Sequence, residues 1–462
     1  RPDPALHVLV GATVHATPTQ TFPKADVIIR GGTIEKVVVS GEAPPPGATL
    51  WDCAGLHVYP GFIEPFLEVD APAPDRNKPG VHWNNRVTPQ RRALDGSGVD
   101  QGTARALRNL GFTAAAISPR GGIFRGRAAV VPLGDPDPEA SNPRPPVYAD
   151  DAYSTLAFDV GGGFGGGGGG GDNSRWDGYP GSLMGSIALI RQTLIDADAR
   201  AESPSASAEP DALAAIPPAP GNKPSGPASF LFTVDDELDA LRAIKVADEF
   251  RRTMTLLGSG FEFRRLDALS ASSIARRPII LPLNFPRRPG VTTITEAEGV
   301  DLRDLMTWEQ APTNPRRLTE AGFTIALTTA KLRDRGQFKD NLRSAIRHGL
   351  SDSAALAALT TTPASILGVS DQVGTVEMNK RANILVADGP IFAKKTKLRD
   401  VWVDGKRHEI TPAPVSLEGA YAVTIDPPPA APGDLSLVID RDGGVTVKKI
   451  PAAPPQIGRA HV

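Results

Sequence analysis

Between residues 6 and 58 apolar positions alternate over short runs, His7-Val8-Leu9-Val10 and Val27-Ile28-Ile29-Arg30 among them, broken by turn residues. A period of two buries one face of a strand, and the Gly31-Gly32 pair between two such runs signals a tight hairpin, so a small antiparallel sheet is expected here. A matching set recurs at 382–389 and 398–403, the latter followed by Asp404-Gly405. Two half-sheets around a long middle predict one composite domain closed by both ends of the chain.

The middle changes period. Strand-like runs at 62–63, 113–117, 128–131, 229–232, 255–257, 278–281 and 324–327 alternate with segments whose apolar residues fall at i, i+3 and i+4. Those segments, at 102–110, 183–197, 234–250, 340–347 and 352–360, predict amphipathic helices. Asp235 and Asp236 supply acidic first-turn residues for one of them, and Ser351 or Asp352 can cap another. Alternating strands and helices favour a parallel α/β architecture, and roughly seven or eight such units over about 300 residues is the arithmetic of a barrel.

Composition qualifies this picture without changing it. The 462 residues contain Gly 47 and Pro 45, well above usual usage, and the excess concentrates in two stretches. Residues 161–171 are all glycine except Phe164, and 199–227 are dominated by Ala, Pro and Ser; both are expected to be disordered insertions, because such compositions cannot repay ordering entropy. A net charge of −2 nominates neither nucleic acid nor an acidic membrane as partner. Cys53 is the single cysteine, so an internal disulfide and a cysteine-based metal cluster are excluded, and a small buried role is expected for it. No apolar run reaches the about 18 residues of a membrane span, and a soluble protein is expected. The chain begins at Arg1 rather than Met, as it would after loss of an export signal, and the compartment stays open. Residues 457–462, IGRAHV, resemble a translated sequencing adapter, so a reading frame cut near Gln456 is expected, with the Pro-rich 413–462 as a linker into a further domain.

Tyr59-Pro60-Gly61-Phe62-Ile63-Glu64-Pro65-Phe66-Leu67-Glu68 resembles the opening strand of the amidohydrolase superfamily, in which Pro-Gly-Phe-Ile-Asp precedes an x-His-x-His metal-binding strand. Residues 356–380, LAALTTTPASILGVSDQVGTVEMNK, and then Ala382-Asn383-Ile384-Leu385-Val386, resemble the family's closing helix and return to the sheet. Val81-His82-Trp83-Asn84, Leu110-Gly111-Phe112-Thr113, Gly121-Gly122-Ile123-Phe124-Arg125-Gly126 and His348-Gly349-Leu350-Ser351 look like its imidazolonepropionase-like branch. The resemblance covers about 1–410 and implies a (β/α)8 TIM barrel at 59–365, with a composite β-sandwich built from 1–58 and 366–412. It also implies hydrolysis of non-peptide C–N bonds with divalent metal, zinc, in active relatives.

Such chemistry needs imidazoles and carboxylates at the C-terminal ends of barrel strands, to lower the pKa of bound water to neutrality. A spacing of two puts both histidines of His-x-His on one inward face. Here those slots read Phe66 and Glu68; the fifth-strand histidine falls near Thr233, the sixth on Gly258 or Ser259, and the eighth-strand aspartate on Thr328 or Thr329. The metal-ligand positions are thus degenerate, and no cofactor is expected in this chain. Two other clusters carry chemistry: Glu68, Asp70 and His82 as a single-metal site, and Arg120, Arg125 and Arg127 around Gly121-Gly122 as an anion contact. Ser259 lacks a full Gly-x-Ser-x-Gly frame and a neighbouring base. The leading expectation is an amidohydrolase fold without its metal, a pseudoenzyme serving as scaffold or regulatory half beside a catalytic amidohydrolase domain downstream or in trans. Its rivals are an active mononuclear amidohydrolase on cyclic amides or small peptides, and a small-ligand binding protein without turnover.

Overall fold

The computed structural model describes residues 5–135, 146–160, 179–202, 212–219 and 229–412, together with the strand residues 419–423, 435–439 and 445–449. The chain opens on β1 (Leu6–His15), β2 (Thr21–Arg30), β3 (Thr33–Val39), β4 (Thr49–Asp52) and β5 (His57–Pro60). The barrel strands follow: β6 (Phe62–Val69), β7 (Phe112–Pro119), β8 (Phe124–Pro132), β9 (Ala149–Ala157), β10 (Phe230–Thr233), β11 (Met254–Leu257), β12 (Ile279–Pro282) and β13 (Ile325–Thr328). After them come β14 (Ile384–Ala387), β15 (Leu398–Val403) and β16 (Lys406–Glu409).

The segments on either side of the barrel build one eight-stranded sheet, in the order β16-β15-β14-β5-β1-β2-β3 with β4 also on β1. The joint is the antiparallel pairing of β5 with β14, in which Pro60 faces Ile384 and His57 faces Ala387. The β2–β3 hairpin turns at Gly31 and Gly32, both at positive φ, and a Cβ on Gly32 would lie 2.8 Å from the Asp404 carbonyl. The alternation of apolar residues predicts an antiparallel sheet, yet β4 and β5 run parallel to β1. Alternation decides which face each side chain takes and is silent on the direction of the neighbouring strand. Leu9, Val27, Ile29, Ile384 and Trp402 form this domain's core, and Cys53 is buried beside them.

The second eight-stranded sheet runs β6 to β13 in sequence order. It reaches the barrel count with one strand reversed: β6–β7 and β9 through β13 pair in parallel, while β8 is antiparallel to both β7 and β9. Pro119 and Phe124 are joined by a short turn through Gly121-Gly122, too short for the helical crossover that a parallel strand requires. Among the described strands no backbone pairing joins β13 to β6, and side chains close that seam. Large and small residues interdigitate inside the barrel, Phe66 and Tyr153 against Ala114, Ala116, Ala128 and Ala326.

The helices are α1 (Gln101–Leu110), α2 (Leu183–Glu202), α3 (Glu237–Glu249), α4 (Leu266–Ser270), α5 (Ile294–Glu298), α6 (Leu302–Gln310), α7 (Asn314–Glu320), α8 (Phe338–Arg347), α9 (Asp352–Leu359) and α10 (Thr361–Ile366). The segment expected to be helical from 234 begins at Glu237, because the Asp236 carboxylate caps it by accepting the N–H groups of Leu238 and Asp239. Ser351 caps α9 as expected. The glycine run at 161–171 lies outside the described residues. The second expected insertion is partly built: α2 extends to Glu202, and a 3-10 turn at Ala212–Ala215 buries Ala212, Ala215 and Ile216. Burial of those apolar side chains repays the ordering of this turn. Pro412–Val462 is a separate unit, whose described part is an antiparallel three-stranded sheet of β17 (Gly419–Val423), β18 (Leu435–Ile439) and β19 (Val445–Lys449).

Candidate functional site

The C-terminal ends of the barrel strands gather the polar residues. On β6 the side chain of Phe66 turns inward and is buried with Ile63, Tyr153, Leu231, Leu257 and Ile280. Glu68, two residues on, accepts from Arg125 Nη1 at 2.7 Å and has Arg120 Nε at 3.8 Å. Two residues before Phe66 lies Glu64, fully buried, which bridges the open seam to β13. One Glu64 oxygen accepts from Thr329 N at 2.8 Å and Thr329 Oγ1 at 2.7 Å, and the other accepts from Thr328 Oγ1. Burial pushes the Glu64 carboxyl above the usual range, against the pull of those hydrogen bonds. Tyr153 donates to the Pro65 carbonyl at 2.9 Å, and burial first, then Glu64 and Glu68, raise its hydroxyl well above 10.

Thr233 ends β10, and Gly258-Ser259 follow β11. Ser259 is buried, and the Glu262 carboxylate accepts its N–H at 2.6 Å, its hydroxyl at 3.1 Å and the N–H of Gly260 at 3.1 Å. The other Glu262 oxygen accepts from Asn314 Nδ2 at 2.7 Å. A Cβ on Gly258 would lie 2.4 Å from this carboxylate, so the close approach of Glu262 requires glycine there. Lys331, three residues past the end of β13 and at φ 59°, reaches back across the mouth. Its ammonium donates to the carbonyl of Val234 and, at 3.1 Å, to that of Gly258, with Asp235 Oδ1 at 3.8 Å. Desolvation lowers its pKa below the ordinary lysine value, opposed by Asp235, Glu262 and Glu68.

Asp70 and Glu68 share Arg120, the Asp70 pair at 3.1 Å. His82 lies on its own loop, where Nδ1 accepts the N–H of Asn84 at 3.0 Å, and its ring contacts Trp83. Trp83 is 64% exposed and stacks on Tyr179. Among the described residues no group of three or more His, Cys, Asp or Glu side chains is gathered so as to hold a metal ion, Glu68, Asp70 and His82 included. The three arginines are each met by a carboxylate of this chain: Arg120 and Arg125 as above, and Arg127 by Asp151 at 3.3 Å. The Gly122 N–H at the turn between β7 and β8 already donates to Asp159 at 3.1 Å, and Asp159 pairs with buried Arg86 at 3.0 Å.

Residues 310–409, from the end of α6 through β16, match the sequence profile of the amidohydrolase family. Over that segment the chain is similar to the amidohydrolase family. An amidohydrolase from Thermotoga maritima has the same fold, with a TM-score of 0.62 and 21% identity over 87% of this chain and 98% of that one. Also similar are a putative prolidase from Bifidobacterium longum, at 14% identity and TM-score 0.47 over 87% of this chain and 94% of that one, and an adenosine deaminase from Xanthomonas campestris with bound zinc, at 13% identity and TM-score 0.40 over 88% and 93%. No curated protein sequence matches the chain.

Sequence reasoning names Thr233, Gly258, Ser259, Thr328 and Thr329, which the structure sets at or just past the ends of β10, β11 and β13. It misses Glu262 and Lys331. A lysine within three residues of the eighth-strand slot was the available signal for the second; Glu262 carried none, because its role depends on the loop that folds it back onto Ser259.

Proposed function

We propose that this amidohydrolase-superfamily domain keeps the barrel without its metal site and serves as scaffold or regulatory half beside a catalytic amidohydrolase domain, downstream in the same chain or in a separate one. The observation that carries the reading is the donor chemistry at the strand ends. Phe66 offers no lone pair; Glu68 is engaged by Arg125; the Thr328 and Thr329 hydroxyls are spent on Glu64; and a positive ammonium lies between the fifth- and sixth-strand positions. A divalent cation needs several oxygen or nitrogen donors turned toward one point and no cation already there, so this donor set does not fit one. In this reading 59–365 is the barrel, 1–58 and 366–412 its companion domain, and 413–462 the way into the neighbour.

Turnover tests the reading. The chain, expressed with Zn, Mn and Fe supplied, is offered cyclic amides and dipeptides beside a Glu68→Ala variant. The expected result is no hydrolysis above the buffer blank in either protein. Metal-stimulated hydrolysis by the wild type that disappears in Glu68→Ala would overturn the reading in favour of a working mononuclear site.

A further inference from the structure

The placement of Lys331 has a meaning beyond loss of the metal. The positions that resemble the superfamily's ligand slots include the C-terminal ends of the fifth, sixth and eighth strands. The Lys331 side chain departs three residues after β13, the eighth strand, and its Nζ is hydrogen-bonded to the carbonyls of Val234, the residue after β10, and Gly258, the residue after β11. These are the fifth and sixth strands. The backbone at Lys331 is left-handed, a conformation that side-chain-bearing residues rarely adopt and that persists where surrounding contacts hold it. Carboxylates face the ammonium from several elements: Asp235 at 3.8 Å from the α3 entry, Glu262 from the loop after β11 and Glu68 from β6, with Arg125 of β8 as the neighbouring cation.

We propose that Lys331 is the resident cation of the barrel mouth, a positioning residue whose ammonium cross-links the ends of strands β10, β11 and β13 where relatives place metal. Parallel strand ends present carbonyl oxygens that the next strand does not use, and a cation among them satisfies several at once. A metal does this through side-chain ligands and open coordination positions that also take water or substrate. An ammonium does it with its own N–H donors and leaves no Lewis-acidic position. The proposal rests on the same reading of the strand-end slots as the proposed function, and its test is separate from metal content.

Two measurements decide it. The Lys331 side chain is 23% exposed and its ammonium is engaged by two carbonyls, so in the native wild-type chain limited acetylation read by peptide mass spectrometry should label it at least about tenfold more slowly than the surface residues Lys24 and Lys245; equal rates would overturn the proposal, and this readout needs no variant. In Lys331→Met, amide exchange at 233–235 and 258–260 should accelerate by about tenfold or more while β2 keeps its protection, and Lys331→Arg should restore part of the loss. Unchanged exchange at those strand ends, or a uniform rise over the whole chain, would contradict it. Should Lys331→Met fail to fold, the labelling rates alone decide. Absent metal with fast Lys331 labelling would sink only this proposal; bound metal with slow labelling would sink only the metal-free reading.

Discussion

Phe66 shows how one side chain redirects a barrel. A histidine at this inward position would present a ring nitrogen to the mouth; the phenyl ring instead joins Ile63, Tyr153, Leu231 and Leu257 in the interior. Truncation to alanine would leave a ring-sized void in a packed core, so Phe66→Ala is expected to cost about 3–5 kcal/mol, measured by urea unfolding. A loss under about 1 kcal/mol would mean that the ring is not an integral part of that core. The character of this position is legible in the sequence because residue type alone decides it: phenylalanine cannot ligate a metal. The pairing of Glu68 with Arg125 is not legible, since it depends on β8 running backwards beside the first strands. Lys331 is hidden for a related reason, because its reach depends on a left-handed backbone that no local pattern announces.

Among the elements, the reversed β8 is the main departure from an all-parallel barrel. Runs of apolar residues such as Ala128-Ala129-Val130-Val131 announce a buried strand but not its direction; only the brevity of the Gly121-Gly122 connection does so. β9 escapes notice because Asp150, Asp151, Ser154 and Thr155 make it read as polar, although Ser154 and Thr155 are fully buried in the structure. The companion sheet carries a pH-dependent element of its own. His15 of β1 stacks on Tyr59 of β5 with ring centroids 4.2 Å apart, its Nε2 lies 3.1 Å from His57 Nδ1, and its Nδ1 lies 3.0 Å from Thr21 Oγ1. Burial, reinforced by His57, lowers the His15 pKa from 6.5 to about 4. The unfolded chain therefore binds more protons than the folded one between those values. Stability from the neutral pair is fully present above pH 6.5 and is lost as the pH falls toward about 4. The urea midpoint of the wild type should accordingly fall more steeply over that range than that of His15→Gln; parallel slopes would contradict this assignment.

At the scale of the larger unit, Arg1–Thr411, the segments flanking the barrel and the barrel itself are one architecture. β5 hands the chain directly to β6, β14 returns to pair with β5, and Tyr148 ties the barrel to the closing strands by donating to Asp404 at 2.8 Å and accepting from Asn383 at 3.1 Å. That frame is what the order of motifs implied, and the alternation of periods along the chain carries it. At its mouth the frame holds a buried carboxyl on two threonines, a carboxylate on arginines and an ammonium on two carbonyls, each with partners inside the chain. On the proposed function these internal partners stand in place of a metal site, and elemental analysis of the chain decides it. The chain is purified after expression with Zn, Mn and Fe offered, and its metal is counted per protein molecule. The expected result is under about 0.1 equivalent of any of the three; one equivalent or more, retained through gentle purification, would contradict the account.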